Sequence, residues 1–290
     1  MMREWIWRNL RLECPADWEM LLFSRSPAQG RCVFADRYAH RLELSWRVVP
    51  GRPDFDRMLS DYAGSLRAGG RPDPAPLRAG AWRGWLAEKD GRPSSRLGLH
   101  LPAEACLVEL VFLWPDARDE ALEHAILDSV RDEPADADGL RRWRAFGLDA
   151  RVSPGLDFRA CVVQPARAEW TFAAPRGRRR ERFARLGLVD QWLRRPVGDW
   201  LLARAPANRK ATVQRRTEAG HEVFSLVPAE TACSMITLPL KGGAFGGEAW
   251  ICPRDGRLYA VEWNGGRPRP GGGEPRRGRR LACCETGVER

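Results

Sequence analysis

Cysteine and histidine have the widest chemical range among the side chains of this 290-residue chain, which holds eight cysteines and four histidines. No two histidines lie at a spacing typical of a metal site, and no Cys-x-x-Cys pair occurs. Cys283 and Cys284 are adjacent, but they lie near the end of the sequence without a matching cluster at zinc spacing. The sequence therefore predicts no metal site, no cofactor and no catalytic residue.

Two other groups could carry chemistry, and each has a simpler explanation. Cys106 and His100 could meet in space as nucleophile and base, but a cysteine inside an apolar strand is usually inert. Asp54, Asp56 and Asp61 could act as paired carboxylates, yet acidic residues also favour the first turn of a helix, where they offset its dipole. An enzyme with a site between two domains stays a second alternative to the main hypothesis below.

Arginine supplies nearly all of the positive charge, and the formal net charge is +10. Such a field attracts nucleic acid, anionic lipid or acidic proteins, although a GC-rich genome would give the same excess. In "RGRRRERFAR", a helix would place three arginines on one face, which predicts salt-sensitive phosphate contacts as an alternative function. The arginines assigned to this alternative are Arg178, Arg179, Arg182, Arg185, Arg276 and Arg277.

The apolar runs of the sequence are short, which argues against a membrane-spanning segment. No run approaches the roughly 20 residues that cross a bilayer, and the charged N-terminus is unlike a signal peptide. Several cysteines lie inside apolar runs such as "ACLVELVFLW", where a thiol behaves as a small buried hydrophobe. These features predict a reduced, cytoplasmic protein without a transmembrane segment.

Strands and helices alternate in groups along the chain. Residues 9–14 and 17–23 are predicted as strands, and "PGRPDFDRMLSDYAGSLRAGG" as a helix with Asp54 as its N-cap. "DARDEALEHAILDSVRDE" predicts a second helix with Asp116 as its cap. "GRRRERFARLGLVDQWLRRPVGDWLLARA" predicts helix again, divided by Pro196.

The pattern then restarts after "PADADG" at 134–139, where "WRAFGLDARVSPGLDFRACVV" loosely repeats the start of the chain. This echo predicts an α+β fold with two diverged tandem domains, each an antiparallel sheet with packed helices. The first domain is predicted over residues 1–133 and the second over 140–264. Residues 265–290, rich in Gly, Pro and Arg, are predicted to be a flexible tail.

The element order resembles the PsbP-like α/β/α sandwich. The resemblance rests on the opening "LRLECPADWEM", the helix "DFDRMLSDYAGSLR" and the strand "LVELVFLWP", covers 9–132 and extends more faintly over 143–263. The second half departs from that pattern at Pro196 and lacks the last helix. The family includes photosystem extrinsic proteins, a nuclear-transport cofactor and adaptor chaperones of type VI secretion. The resemblance implies a binding or adaptor role and carries over no functional residue.

The main hypothesis is accordingly a non-enzymatic binding or adaptor protein with a protein partner. Thirteen tryptophans occur in the chain, and tryptophan is frequent at interaction hot spots. We assign Trp82 and Trp85 as candidate partner contacts, on the expectation that both lie on one face of a strand. Burial of the same pair in the domain core is the alternative.

Overall fold

The computed structural model describes residues 1–26, 28–70, 72–89, 91–176, 179–206, 210–228, 245–265 and 280–284. The chain divides into two compact units, Met1–Glu133 and Pro134–Arg290, called unit 1 and unit 2 below. None of the described helices is both long enough and apolar enough to cross a bilayer.

Antiparallel strands dominate both units, so the predicted α+β class is wrong and the chain is all-β. Of the described residues, 52% are in strands and 15% in helices. Part of the reason is that charged residues which the sequence places at helical spacing over 180–186 pair with residues of neighbouring strands, as Arg182 does with Glu169. Residues 180–186, predicted as helix, form an interior strand instead.

Unit 1 consists of ten strands, two α-helices and one 3₁₀ turn (Pro102–Glu104) within its described residues. They are β1 (Met2–Trp7), β2 (Leu10–Pro15), β3 (Glu19–Phe23), β4 (Gln29–Ala35), β5 (His40–Val48), α1 (Phe55–Ala68), β6 (Ala75–Ala79), β7 (Trp82–Lys89), β8 (Arg92–Leu101), β9 (Cys106–Leu113), α2 (Glu120–Ser129) and β10 (Arg131–Asp132). Seven of the strands form one antiparallel sheet in the order β3-β4-β5-β9-β8-β7-β6, while β2 pairs with both β1 and β10.

The two helices of unit 1 are capped by aspartates. The Arg57 N–H donates to Asp54 Oδ1 at 3.0 Å, which confirms the predicted cap of α1. In α2 the Leu122 N–H donates to Asp119 Oδ1 at 2.9 Å, so the cap is Asp119 and not the predicted Asp116. Leu66 is the sole buried residue of α1, which shows that this helix covers the sheet only lightly.

Trp82 and Trp85 lie three positions apart on β7, and the prediction that they share a face is wrong. Side chains alternate along a strand, so an odd spacing places the two indoles on opposite faces. Trp82 is 4% exposed and its Nε1–H donates to the Leu127 carbonyl of α2 at 3.2 Å. The Trp85 Nε1–H donates to the Leu59 carbonyl of α1 at 3.0 Å. Each indole therefore ties β7 to a helix of its own unit.

Unit 2 repeats the strand plan of unit 1. Its elements are β11 (Arg141–Ala145), β12 (Leu148–Val152), β13 (Asp157–Gln164), β14 (Arg167–Ala173), β15 (Arg180–Leu186), α3 (Val189–Trp192), α4 (Val197–Leu202), β16 (Ala211–Glu218), β17 (His221–Pro228), β18 (Phe245–Ile251), β19 (Leu258–Asn264) and β20 (Leu281–Ala282). The large sheet has the order β13-β14-β15-β19-β18-β17-β16, which is the order of unit 1 with each number raised by ten. β12 pairs with both β11 and β20, as β2 does with β1 and β10.

The two faces of the large sheet in unit 2 are covered differently. On one face α3 and α4 bury Val189, Val197 and Leu201 against apolar residues of the sheet. On the other face Trp143 of β11 stacks on Phe158, with ring centroids 5.2 Å apart, and meets Phe172 edge-on. Burial of these large side chains supplies most of the driving force for folding of the unit.

The predicted flexible tail differs from the structure in one stretch. Leu281 is fully buried, and β20 pairs with Asp149 and Ala150 of β12. The other residues of the predicted tail, apart from Gly265 and 280–284, lie outside the described residues.

Candidate metal centre

Four metal-ligating side chains of unit 2 converge at one end of its large sheet. His221 is the first residue of β17, Cys252 follows β18, and Cys283 and Cys284 follow β20. β17 and β18 are antiparallel neighbours, and their register, continued from the pair Phe224 and Ala249, places His221 opposite Cys252. One imidazole nitrogen and three sulfurs all lie within 4.8 Å of one another.

The distances among the ligand atoms of His221, Cys283 and Cys284 are close to those of a tetrahedral zinc site. Zinc binds sulfur at about 2.3 Å and nitrogen at about 2.0 Å, so tetrahedral ligands lie about 3.8 Å apart for two sulfurs and about 3.5 Å apart for sulfur and nitrogen. The sulfurs of Cys283 and Cys284 are 3.8 Å apart. His221 Nε2 is 3.2 Å from the Cys283 Sγ and 3.7 Å from the Cys284 Sγ. These three distances are therefore close to those of a Cys₃His zinc ion, and the Cys252 sulfur lies within 4.8 Å of the other three atoms.

The hairpin turn between β16 and β17 positions His221 and fixes its tautomer. Ala219 and Gly220 have φ of 44° and 74°, the left-handed pair of a two-residue turn that matches strand twist. His221 Nδ1 lies 2.9 Å from the Ala219 carbonyl, which can only accept, so Nδ1 carries the proton. The lone pair is then on Nε2, which faces the cysteines, and this arrangement is usual for a metal-binding histidine.

The turn after β18 presents the Cys252 sulfur to the centre. The Gly256 N–H donates to the Cys252 carbonyl at 2.9 Å, and Gly256 has a φ of 64°, which favours glycine. The N–H groups of Arg254 and Asp255 hydrogen-bond to the Cys252 sulfur. Burial raises the pKa of the Cys252 thiol, and these two N–H groups oppose that rise. They are placed to stabilise a thiolate, which is the form that binds metal.

The Cys283–Cys284 pair is held in place by the contacts of the residues that precede it. The Arg280 guanidinium forms an ion pair with the buried carboxylate of Glu181, and Arg280 Nη2 lies 3.2 Å from Ser153 Oγ. Glu181 is 3% exposed and also accepts from the Ser153 N–H at 3.1 Å. The five-residue segment 280–284 is thus attached through a buried charge, the Leu281 side chain and the ladder with β12.

Tyr259 supplies the outer support of the site. Its hydroxyl lies 2.7 Å from Asp255 Oδ2 and 3.2 Å from the Cys283 carbonyl, and it accepts from Arg185 Nε at 3.3 Å. Burial, together with Asp255, raises the pKa of Tyr259, so the phenol stays protonated and donates. This hydroxyl bridges the turn that carries Cys252 and the segment that carries Cys283, and such outer contacts orient metal ligands.

No family model matches this chain. No curated protein matches the sequence either. A solved structure of a protein from Bacteroides thetaiotaomicron VPI-5482 is similar over 47% of this chain and 50% of that chain, with a TM-score of 0.28 and 10% sequence identity. This chain therefore spans half of the length of that protein, and a likeness this low carries no inference about fold or function. The PsbP-like resemblance stays a prediction.

The predicted phosphate-binding arginines do not share a helix face. Arg182 and Arg185 lie on β15, where an odd spacing puts them on opposite faces. Arg182 Nη2 bonds Glu169 at 2.7 Å, and Arg185 bonds Tyr259 as described above. The Arg179 Nη2 lies 3.4 Å from the Pro154 carbonyl. Arg178, Arg276 and Arg277 lie outside the described residues.

Sequence reasoning predicted no metal site and missed these four residues, which the fold brings together. His221, Cys252 and Cys283 are 31 positions apart in turn, far from the spacing of a local zinc motif. Two local signals were present. The first is "CPRDG", a cysteine followed by a tight turn, and the second is an adjacent cysteine pair in a polar stretch that offers it no apolar strand.

The three cysteines of unit 1 differ from this cluster. Cys14 and Cys32 are fully buried in strands of unit 1, and burial raises the pKa of each thiol to about 12. Thiols with such pKa values are inert, which matches the sequence interpretation of cysteines in apolar runs. Cys106 of β9 follows the same pattern, because burial raises its pKa as well.

Proposed function

We propose that the protein is a non-enzymatic zinc-binding protein, in which a Cys₃His zinc centre holds the segment 280–284 in place in unit 2. The observation that carries this proposal is the convergence of one imidazole nitrogen and three sulfurs within 4.8 Å. Tetrahedral sites made of thiolates and imidazole are typical of zinc.

A structural role for the zinc is favoured over a catalytic one. Catalytic zinc usually keeps one position open for water, whereas here the chain supplies all four ligands. The segment 280–284 contains one two-residue strand, which buries little surface alone. Zinc coordination by Cys283 and Cys284 would add the fixation that such a short strand lacks.

Unit 1 supports this role by comparison. In its strand order, other side chains occupy the positions that correspond to the metal ligands of unit 2. The residues in those places are Trp82 for His221 at the start of β7 and β17, Pro102 for Cys252 after β8 and β18, and Glu133 for Cys283 after β10 and β20. In unit 1 the Trp82 indole is bound to α2, so apolar burial and a helix supply the closure that zinc would supply in unit 2.

At the level of the whole protein, we propose a binding or adaptor role toward a protein partner, in a reducing compartment such as the cytoplasm. None of the seven described cysteines forms a disulfide, which supports the compartment. The alternative on nucleic acid stays a prediction from the arginine content. A pull-down with mass spectrometry tests the first role, and a nucleic-acid titration at two salt concentrations tests the second.

The zinc proposal is tested by metal analysis of the purified protein. We expect one zinc per chain by mass spectrometry of metals, and loss of that zinc in Cys252→Ser and Cys284→Ser. Cys161→Ser is the matched control, because Cys161 lies in unit 2 on β13, away from the centre, and it should keep one zinc. Cobalt(II) in place of zinc should give the intense absorption of tetrahedral thiolate coordination. A folded protein that binds no zinc from zinc-supplemented buffer would rule the proposal out.

A further inference from the structure

The three thiols of the centre differ in access to solvent. Cys252 is fully buried, whereas Cys283 and Cys284 are partly exposed. A small oxidant that reaches the centre from solvent therefore meets Cys283 or Cys284 first. The Cys252 sulfur lies behind them, in hydrogen-bond contact with Cys283.

Chain geometry decides which two sulfurs can join. Cysteines in a disulfide have Cα atoms about 4.4–6.8 Å apart, whereas adjacent residues are about 3.8 Å apart across a trans peptide. A Cys283–Cys284 disulfide is therefore strained, although their sulfurs are neighbours. Cys252 and Cys283 follow different strands, β18 and β20, and are free of this restriction.

Resting on the zinc centre proposed above, we propose that the centre is also a modification site, which hydrogen peroxide converts into a Cys252–Cys283 disulfide with release of the zinc ion. The Cys283 thiolate attacks one peroxide oxygen, which breaks the O–O bond and gives a sulfenic acid and, after protonation, water. The Cys252 thiolate then attacks that sulfur and displaces hydroxide, which leaves as a second water. The two sulfurs lose two electrons in total, and the peroxide gains them.

Loss of two of the four ligands releases the metal, because His221 and Cys284 alone make a weak site. The attachment of segment 280–284 is kept, since the new covalent bond joins the turn after β18 to the residue after β20. Arg280 and Leu281 remain in place on the other side. The zinc ion therefore holds this segment in place under reducing conditions, and the disulfide holds it under oxidising conditions.

The experiment treats the zinc-loaded full chain with hydrogen peroxide and follows zinc release with a chromophoric chelator. Tryptic digestion separates Cys252, in 242–254, from the pair in 281–290, so a disulfide between them joins two peptides. We expect one zinc released per disulfide formed, with fragmentation assigning the bond to Cys283. Dithiothreitol with zinc should restore the starting state, and Cys161→Ser should release zinc at the wild-type rate.

Three outcomes would overturn the proposal: a Cys283–Cys284 disulfide as the main product, sulfinic acid on either cysteine without a linked peptide, or zinc retention at peroxide levels that oxidise Cys161. The same digestion on reduced protein without zinc separates this proposal from the previous one. A protein that never binds zinc but forms the Cys252–Cys283 bond contradicts the zinc proposal and leaves the oxidation site standing. A zinc protein that forms another product contradicts only the oxidation site.

Discussion

The Glu181 carboxylate shows how a buried charge is stabilised in unit 2. It is 3% exposed and accepts from the Arg280 guanidinium and from the Ser153 backbone N–H. Arg280 also lies over the Phe183 ring, 5.7 Å from its centroid. Removing one partner of a buried ion pair costs much more than the pair contributes, because the remaining charge stays desolvated.

Glu181→Gln should therefore destabilise unit 2 by about 3 kcal/mol, since the amide keeps the shape but leaves Arg280 without its counter-charge. The measurement is urea unfolding of the zinc-loaded protein, and zinc affinity should fall with it. Glu222→Gln is the control, because the Arg215–Glu222 pair is 72% and 45% exposed and should cost less than about 1 kcal/mol. Equal effects of the two substitutions would show that Glu181 contributes no more than a surface charge.

Strand β7 has no room for a side chain at Gly84. A Cβ at this position would lie 1.9 Å from the Arg96 carbonyl oxygen of β8, which is backbone and cannot rotate away. Gly84→Ala should destabilise unit 1 by about 2 kcal/mol or more through displacement of the ladder. Gly64→Ala in α1 meets open space and should stabilise unit 1 by about 0.5–1 kcal/mol through helix propensity. Thermal unfolding of both variants checks the prediction, and a neutral Gly84→Ala would contradict the strand register.

Local signals predicted elements well where neighbours in sequence determine them. Asp54 and the helix it caps follow from spacing and cap preference alone. β15 was missed, because its charges fit helical spacing as well as a strand. In the structure, Arg182 of this strand pairs with Glu169, and Glu181 pairs with Arg280, which is 99 positions away in the sequence. No pattern within the segment reveals such partners, so strand and helix could not be separated there.

The four residues of the candidate metal centre could not be predicted from the sequence for the same reason. Its ligands meet because the start of β17, the end of β18 and the end of β20 reach one end of unit 2. That meeting depends on strand order, which the sequence does not state. Spacing rules for zinc work where both ligands of a pair lie on one short turn, and here the one adjacent pair looked like part of a polar tail.

At the scale of the molecule, both units have the same strand order, but different residues fix their last short strand. The sheet orders of unit 1 and unit 2 are the same, and in each unit a two-residue strand returns to the first hairpin. In unit 1 the helix α2 precedes that strand and buries Ile126 and Leu127. In unit 2 the two residues after it are cysteines of the proposed metal centre. The difference predicts that only one of the units depends on metal.

Calorimetry of the zinc-loaded full chain should accordingly resolve two thermal transitions, of which a zinc chelator lowers only one. Structural zinc contributes directly to folding free energy, so its removal should lower the midpoint of unit 2 by 10 °C or more, on the order of several kcal/mol. Cys284→Ser should lower the same transition and abolish the chelator effect, whereas Gly84→Ala should lower the other transition and leave that effect intact. Cys161→Ser should change neither. If the chelator shifts the transition that Gly84→Ala identifies as unit 1, or shifts no transition, the metal does not close unit 2.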